Sequence, residues 1–197
     1  MIRKVKESVY CLSFRKFGSR VYLLRDEKIL IDTTSRENEK ELLDDLEKLK
    51  IKPEKIKVVL LTHMHIDHIG NIFLFPNAKI YASKKEIEAL RRNPIATVLD
   101  NDKNFIKKLL EINFIPLEEG NTINGIKVIE ASGHTIGSLC FLYKDILFSG
   151  DVVFDDSFMT IGRIDLPTSL PSAMKETLEK LKVLKQKKKF NIICPGH

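Results

Sequence analysis

The 197 residues contain no apolar run approaching the roughly 20 residues that a membrane-spanning helix needs. The opening Met1-Ile2-Arg3-Lys4-Val5-Lys6 also lacks the apolar segment of a signal peptide. These absences argue against a membrane or secreted protein and make the cytoplasm the expected compartment. Cysteine is scarce. Cys11, Cys140 and Cys194 are an odd number with no Cys-x-x-Cys spacing, which indicates neither a disulfide framework nor a thiolate zinc site. They read as small buried apolar residues. No linker or low-complexity stretch divides the chain, so a single domain over residues 1–197 is expected. With 43% hydrophobic and 30% charged residues, that domain has material for a real core. The formal charge of +6 could suggest a polyanionic partner, but the lysines are spread along the chain and offset by many glutamates, a pattern that fits a thermophile's surface as well as it fits nucleic-acid binding. The run Lys185-Gln186-Lys187-Lys188-Lys189 closes a helix, where cations suit the dipole, and reads as a solvated helix end in preference to a nucleic-acid patch. The partner expected is a small-molecule substrate, with neither nucleic acid nor membrane.

Periodicity predicts an α/β arrangement. Val9 to Phe14, Arg20 to Leu24 and Lys28 to Asp32 are short apolar segments separated by turn signals, the pattern of an antiparallel meander. Glu39 to Leu49 places Leu42, Leu43, Leu46 and Leu49 on one helical face. Val58-Val59-Leu60-Leu61 is too short for a helix and reads as a strand buried on both faces. Further on, strands are expected at Lys79 to Ala82, Lys127 to Ala131, Leu139 to Tyr143, Ile146 to Ser149 and Asn191 to Cys194. Helices are expected at Lys84 to Arg91, ended by Pro94, at Asp102 to Glu111, and at Pro171 to Leu184. The succession suggests two similar halves, packed sheet against sheet with helices outside.

Histidine is also rare, and its five copies are concentrated. His63, His65 and His68 lie within six residues, His134 follows Gly133, and His197 follows Gly196. Each sits at the carboxyl end of an expected strand, where sites in α/β folds form. His63 and His65 are two apart, so in extended chain they project to one side and reach one ion. A helix starting just after would turn Asp67 and His68 toward a second ion. His134 offers a third nitrogen to the first ion and His197 completes the second. Asp151, after the strand Ile146 to Phe148, has two oxygens with which to bridge both. A lone histidine is usually a hydrogen-bonded core or surface residue; five histidines and two aspartates at strand ends are not explained that way.

His63-x-His65-x-Asp67-His68, Gly133-His134-Thr135-x-Gly137-Ser138, Gly150-Asp151 and Gly196-His197 resemble, in order and spacing, the signature of the metallo-β-lactamase superfamily. The resemblance runs from about Asp32 to the last residue. It implies a four-layer αββα sandwich with two metals at one edge of the sheets, most simply zinc, with iron or manganese as alternatives. Gly162-Arg163-x-Asp165-x-Pro167 is similar to the glyoxalase II-like branch, although Phe154 to Ile161 is longer than usual there. Asp151 stands where some true β-lactamases carry cysteine, which argues against antibiotic hydrolysis. Keeping His65 rather than a glutamate separates the chain from the oxygen-reducing diiron members. Glyoxalase II enzymes carry a helical extension after their final histidine, whereas this sequence ends at His197.

Charge counting favours hydrolysis. Two divalent ions, Asp67, Asp151 and a bridging hydroxide leave the site near +1, suited to a developing oxyanion. Metal coordination lowers the pKa of water from 15.7 to about 7, so the hydroxide serves as nucleophile at neutral pH. A thiolate leaving group needs little protonation. Hydrolysis of a thioester of the glyoxalase II type is therefore the leading expectation, with Asp67 and Asp151 as its catalytic carboxylates. A lactone or other ester hydrolase would use the same residues. A persulfide dioxygenase-like enzyme would use His63, His134 and Asp151 as a triad for one iron. Asp32 is a candidate acceptor for a ligand imidazole. Arg163 either grips a substrate carboxylate or pairs with Asp165, and Phe158 and Met159 either line a pocket mouth or plug the core.

Overall fold

The computed structural model describes residues 1–197. The chain opens with an antiparallel meander of β1 (Ile2–Lys6), β2 (Val9–Ser13), β3 (Arg20–Leu24) and β4 (Ile29–Ile31). There follow α1 (Glu39–Lys48), β5 (Val58–Leu60), the single turn α2 (Ile66–Ile69), β6 (Lys79–Ser83), α3 (Lys84–Arg92), α4 (Pro94–Val98), α5 (Lys103–Leu110) and β7 (Ile115–Leu117). From β4 to β7 the strands run parallel, completing a seven-stranded sheet in sequence order. A second sheet comprises β8 (Thr122–Ile123), β9 (Ile126–Glu130), β10 (Leu139–Tyr143) and β11 (Ile146–Gly150), all antiparallel. After α6 (Pro171–Gln186), β12 (Ile192–Pro195) joins it parallel to β11.

Strand alternation makes the layers. Successive side chains point to opposite faces, and both faces of β3 are buried. Val21 and Leu23 share a cluster with Leu42 and Leu46 of α1, Leu90 of α3 and Leu109 of α5. Tyr22 and Leu24 instead meet Phe141 and Phe148 of the second sheet, with the Tyr22 and Phe148 rings 5.1 Å apart. The outer face of that sheet, through Cys140 and Leu147, is covered by Met174 and Leu181 of α6. The result is the four-layer αββα sandwich that the resemblance implies.

Several expectations shift. The two similar halves are unequal in size, with seven strands in one sheet and five in the other. Strands β1, β7 and β8 were not anticipated: β1 is a mixed, charged edge, and β7 and β8 span three and two residues. Pro94 opens α4 rather than only ending a helix. At the first helical position a missing N–H costs nothing, and the Asn93 side chain accepts from Ala96 N at 3.3 Å. All three cysteines are free and buried. Phe158 packs into the core against α6 while Met159 is 83% exposed. No helix is long and apolar enough to cross a membrane.

Candidate metal centre

Five chain segments deliver the site to one edge of the sandwich. β5 releases His63 and His65 to one side, while Met64 between them packs into the core. His65 caps α2, whose single turn swings Asp67 and His68 around. His134 comes from the loop after β9, Asp151 directly follows β11, and His197 follows β12. Crowding there dictates glycine at two neighbours. A Cβ on Gly196 would lie 2.2 Å from Asp151 Oδ1, and one on Gly162 would lie 1.8 Å from the Asp151 carbonyl oxygen.

All seven expected donor residues come together in three overlapping groups: His63, His65 and His134; His63, His68 and Asp151; and Asp67, His68 and His197. Within each group the donor atoms lie within 4.8 Å of one another. His63 Nε2 and His134 Nε2 are each 3.0 Å from His65 Nδ1. His197 Nε2 is 3.3 Å from both His68 Nε2 and Asp67 Oδ2, and 3.2 Å from Asp151 Oδ2. Asp151 Oδ1 is 3.4 Å from His68 Nε2.

The outer ring nitrogens of His63, His65, His68 and His134 are held by other groups, and for three of these rings the partner fixes which nitrogen carries the proton. His134 Nδ1–H donates to the Arg163 carbonyl at 2.8 Å, and a carbonyl only accepts, so the inner Nε2 keeps its lone pair. His68 Nδ1–H donates to Asp32 Oδ2 at 2.9 Å. The Thr62 hydroxyl donates to the same carboxylate at 2.7 Å, so its oxygen is left to accept from His63 Nδ1–H at 3.1 Å. His65 Nε2 lies 2.9 Å from Thr168 Oγ1, a hydroxyl that can either donate or accept, so with metal on Nδ1 the ring would donate its Nε2–H there. Metal-ligating histidines typically show this outward hydrogen bond. Asp32 was anticipated in this role. Thr168, the Arg163 carbonyl and the Thr62 hydroxyl were not, because nothing local in the sequence links Thr168 to a histidine 103 residues away.

Charge divides the cluster. Burial pushes His63 well below its usual value, reinforced by His68, His65 and His134. Burial and then His134 bring His65 down to about 3, and burial also lowers His134. These three rings are neutral near pH 7, the form that binds metal. On His68 burial acts downward, but Asp151, Asp67 and Asp32 outweigh it and raise the ring well above its usual value. His197 rises to about 9, where burial is overcome by hydrogen bonds to Asp151 and Asp67. Burial acts upward on Asp67, yet His68 and His197 hold it at about 2, and Asp151 is likewise held well below the usual carboxylate range.

These residues fit divalent metal. A tetrahedral ion with bonds of about 2.0–2.1 Å sets its ligand atoms about 3.3 Å apart, close to the spacings seen here. Asp151 Oδ1 is buried without any hydrogen-bond partner, a costly state that a cation would relieve. The donors share a cleft of about 370 Å³ with the apolar side chains of Leu99, Phe154, Ile161 and Leu166. Arg163 also lines it, with Nε and Nη2 each 3.0 Å from the Asp165 carboxylate and both side chains 69% exposed.

An αββα sandwich with a histidine–aspartate cluster across its strand ends defines the class as a metallo-hydrolase fold. The family model described as "Metallo-beta-lactamase superfamily" matches residues 15–197, and the chain belongs to that superfamily. A probable metallo-hydrolase of Methanocaldococcus jannaschii is 32% identical over 86% of this chain and 70% of its own length. The human acyl-coenzyme A thioesterase MBLAC2 is 29% identical over 79% of this chain and 61% of its own. A hydroxyacylglutathione hydrolase of Pectobacterium carotovorum is 31% identical over 79% of this chain, which spans 52% of that enzyme's length. Among solved structures, a protein crystallised in a di-iron-bound form superposes with a TM-score of 0.71 at 24% identity, covering 95% of this chain and 91% of its own; it speaks to the fold.

Proposed function

We propose that the chain hydrolyses a thioester of the glyoxalase II type using two divalent metal ions, zinc in the first instance. The observation that carries this reading is the division of seven inward-facing donors into two sets with Asp151 between them. His63, His65 and His134 would hold one ion, and Asp67, His68 and His197 the other. The two oxygens of Asp151 reach toward both. Bound there, the ions would supply hydroxide at neutral pH and a Lewis acid for the substrate carbonyl. Thr62, Asp32, Thr168 and the Arg163 carbonyl hold the rings of His63, His68, His65 and His134 in orientation, and His68 and His197 would give up a proton as metal binds. The apolar wall of Leu99, Phe154, Ile161 and Leu166 excludes water from the acyl group. Arg163 stands at the cleft to contact an acidic substituent. No further acid faces the cleft, which suits a leaving thiolate that needs no proton. Two relatives named for thioester hydrolysis support the substrate class.

The test is metal content together with turnover. Near two ions per chain, with hydrolysis of a hydroxyacylglutathione or an acyl-coenzyme A ahead of lactones, is the expected result. One iron per chain with oxygen consumption on a persulfide would replace this reading by the oxygenase alternative.

A further inference from the structure

Glu86 lies in the first turn of α3, 2% exposed, and no lysine or arginine pairs with it. A buried carboxylate without a cation is costly, so its hydrogen bonds carry information about its purpose. Oε2 accepts from Met64 N at 3.0 Å and Oε1 from Gly137 N at 3.1 Å. Met64 sits between His63 and His65, and Gly137 is three residues after His134. One side chain therefore bridges the two loops that supply the three-nitrogen group. A backbone bond from Leu139 N to Thr62 O, 2.8 Å, joins the same segments at their strand ends; Glu86 joins them further out, within the loops. The second loop is pressed against α3, since a Cβ on Gly137 would lie 2.7 Å from Glu86 Cγ and 2.8 Å from Glu86 N. Glu86 makes no hydrogen bond to Asp67, His68 or His197.

We propose that Glu86 is a positioning residue whose carboxylate sets the spacing of the His63, His65 and His134 nitrogens by tying their two loops together. This rests on the metal-binding reading of those histidines. Burial raises the Glu86 carboxyl above its usual value, against the opposing hydrogen bonds from the Thr135 side chain and the Met64 and Gly137 amides. An ionised carboxylate accepts from both amides, whereas a glutamine has one acceptor oxygen and must turn its amide group toward the other N–H.

The test is Glu86→Gln, compared with Leu90→Ala. Leu90 is buried on the same helix and touches neither loop's amides through hydrogen bonds. Zn²⁺ titration against a chromophoric chelator should show one of the two sites weakened 10–100-fold in Glu86→Gln, the range typical for groups that orient ligands, with the other unchanged. Hydrogen exchange at the Met64 and Gly137 amides, measured on the metal-free protein, should accelerate in the same variant. Unchanged zinc affinity at both sites, or unchanged exchange at both amides, overturns the proposal. So does an equal one-site loss in Leu90→Ala at a matched melting temperature, because general destabilisation would then explain it. Should the glutamine variant not fold, Glu86→Asp, shorter by one methylene, is read by the same measurements. A wild-type chain that takes up no zinc sinks the metal reading by itself, while the exchange rates still decide whether the tie exists.

Discussion

Asp32 Oδ2 accepts the Nδ1–H of His68 at 2.9 Å, and the same carboxylate reaches His63 through the Thr62 hydroxyl. One buried group thus orients a ring from each donor set. Asp32 has a left-handed backbone, φ 60°, which asparagine tolerates, so Asp32→Asn confines the change to hydrogen bonding. Its amide nitrogen cannot accept what the lost oxygen accepted. Metal affinity should fall roughly 10–100-fold, and at both sites, by chelator competition. A loss confined to one site would show that the Thr62 relay does not act.

Asp151 lies between both sets, 3.2 Å from His197 Nε2 and 3.7 Å from His134 Nε2, and has an unpartnered buried oxygen. In Asp151→Ala two like charges would face each other without the shared carboxylate. Metal analysis should find about one ion per chain, and turnover should drop by more than the roughly 100-fold upper range for outer hydrogen-bond partners. Two ions and full activity in that variant would rule out the bridge.

The candidate donors were legible because their chemistry is local: His63, His65, Asp67 and His68 fall within six residues after β5, and His134, Asp151 and His197 each stand beside a glycine. The layers were legible too, from the succession of strands and helices and from the family resemblance, whereas the division of Val21 and Leu23 from Tyr22 and Leu24 between two cores shows only in the structure. Glu86 was not. In sequence it is one more charged residue on an amphipathic helix, and only the parallel register of β5 and β6 brings the start of α3 beside the His63 loop. Thr168 was invisible for the same reason, its partner being distant in sequence. Edge strands β1 and β8 escaped because a short or charged edge lacks the apolar alternation that marks a half-buried strand.

Removing metal should destabilise the fold. A ligand present at about 1,000 times its Kd adds about 4 kcal/mol, and each kcal/mol is worth roughly 2–4 °C in a chain of this size. Melting with excess chelator should therefore come at least several degrees earlier than with zinc. Superimposable melting curves would mean that zinc does not bind the folded state tightly.

The pH dependence of the two forms should run in opposite directions. In the metal-free chain the His197 ring rises from 6.5 to about 9, and His68 moves the same way. A raised histidine favours the protonated folded state, so that stabilisation is full below pH 6.5 and is lost as pH climbs through about 9. Metal needs the same nitrogens unprotonated, so zinc affinity should increase across that window. Melting curves at several pH values, with zinc and with chelator, test both slopes. Metal-free stability that rises from pH 6.5 to 9 would contradict the assignment.

Arg163 has two separable parts, and the distinction makes its variant informative. Its carbonyl accepts from His134, while its guanidinium faces the cleft and Asp165. Arg163→Ala keeps the carbonyl and so should leave the metal site intact. The exposed pair with Asp165 is screened by water and contributes little to stability, so the melting temperature should hardly move. If the guanidinium grips an acidic substituent equally in ground and transition states, KM for an acidic thioester rises several-fold, kcat stays nearly constant, and a neutral ester is unaffected. Steady-state kinetics on the two substrates decide the matter. Equal losses on both, accompanied by a lower melting temperature, would mean that Arg163 pins its loop through Asp165 and does not touch substrate.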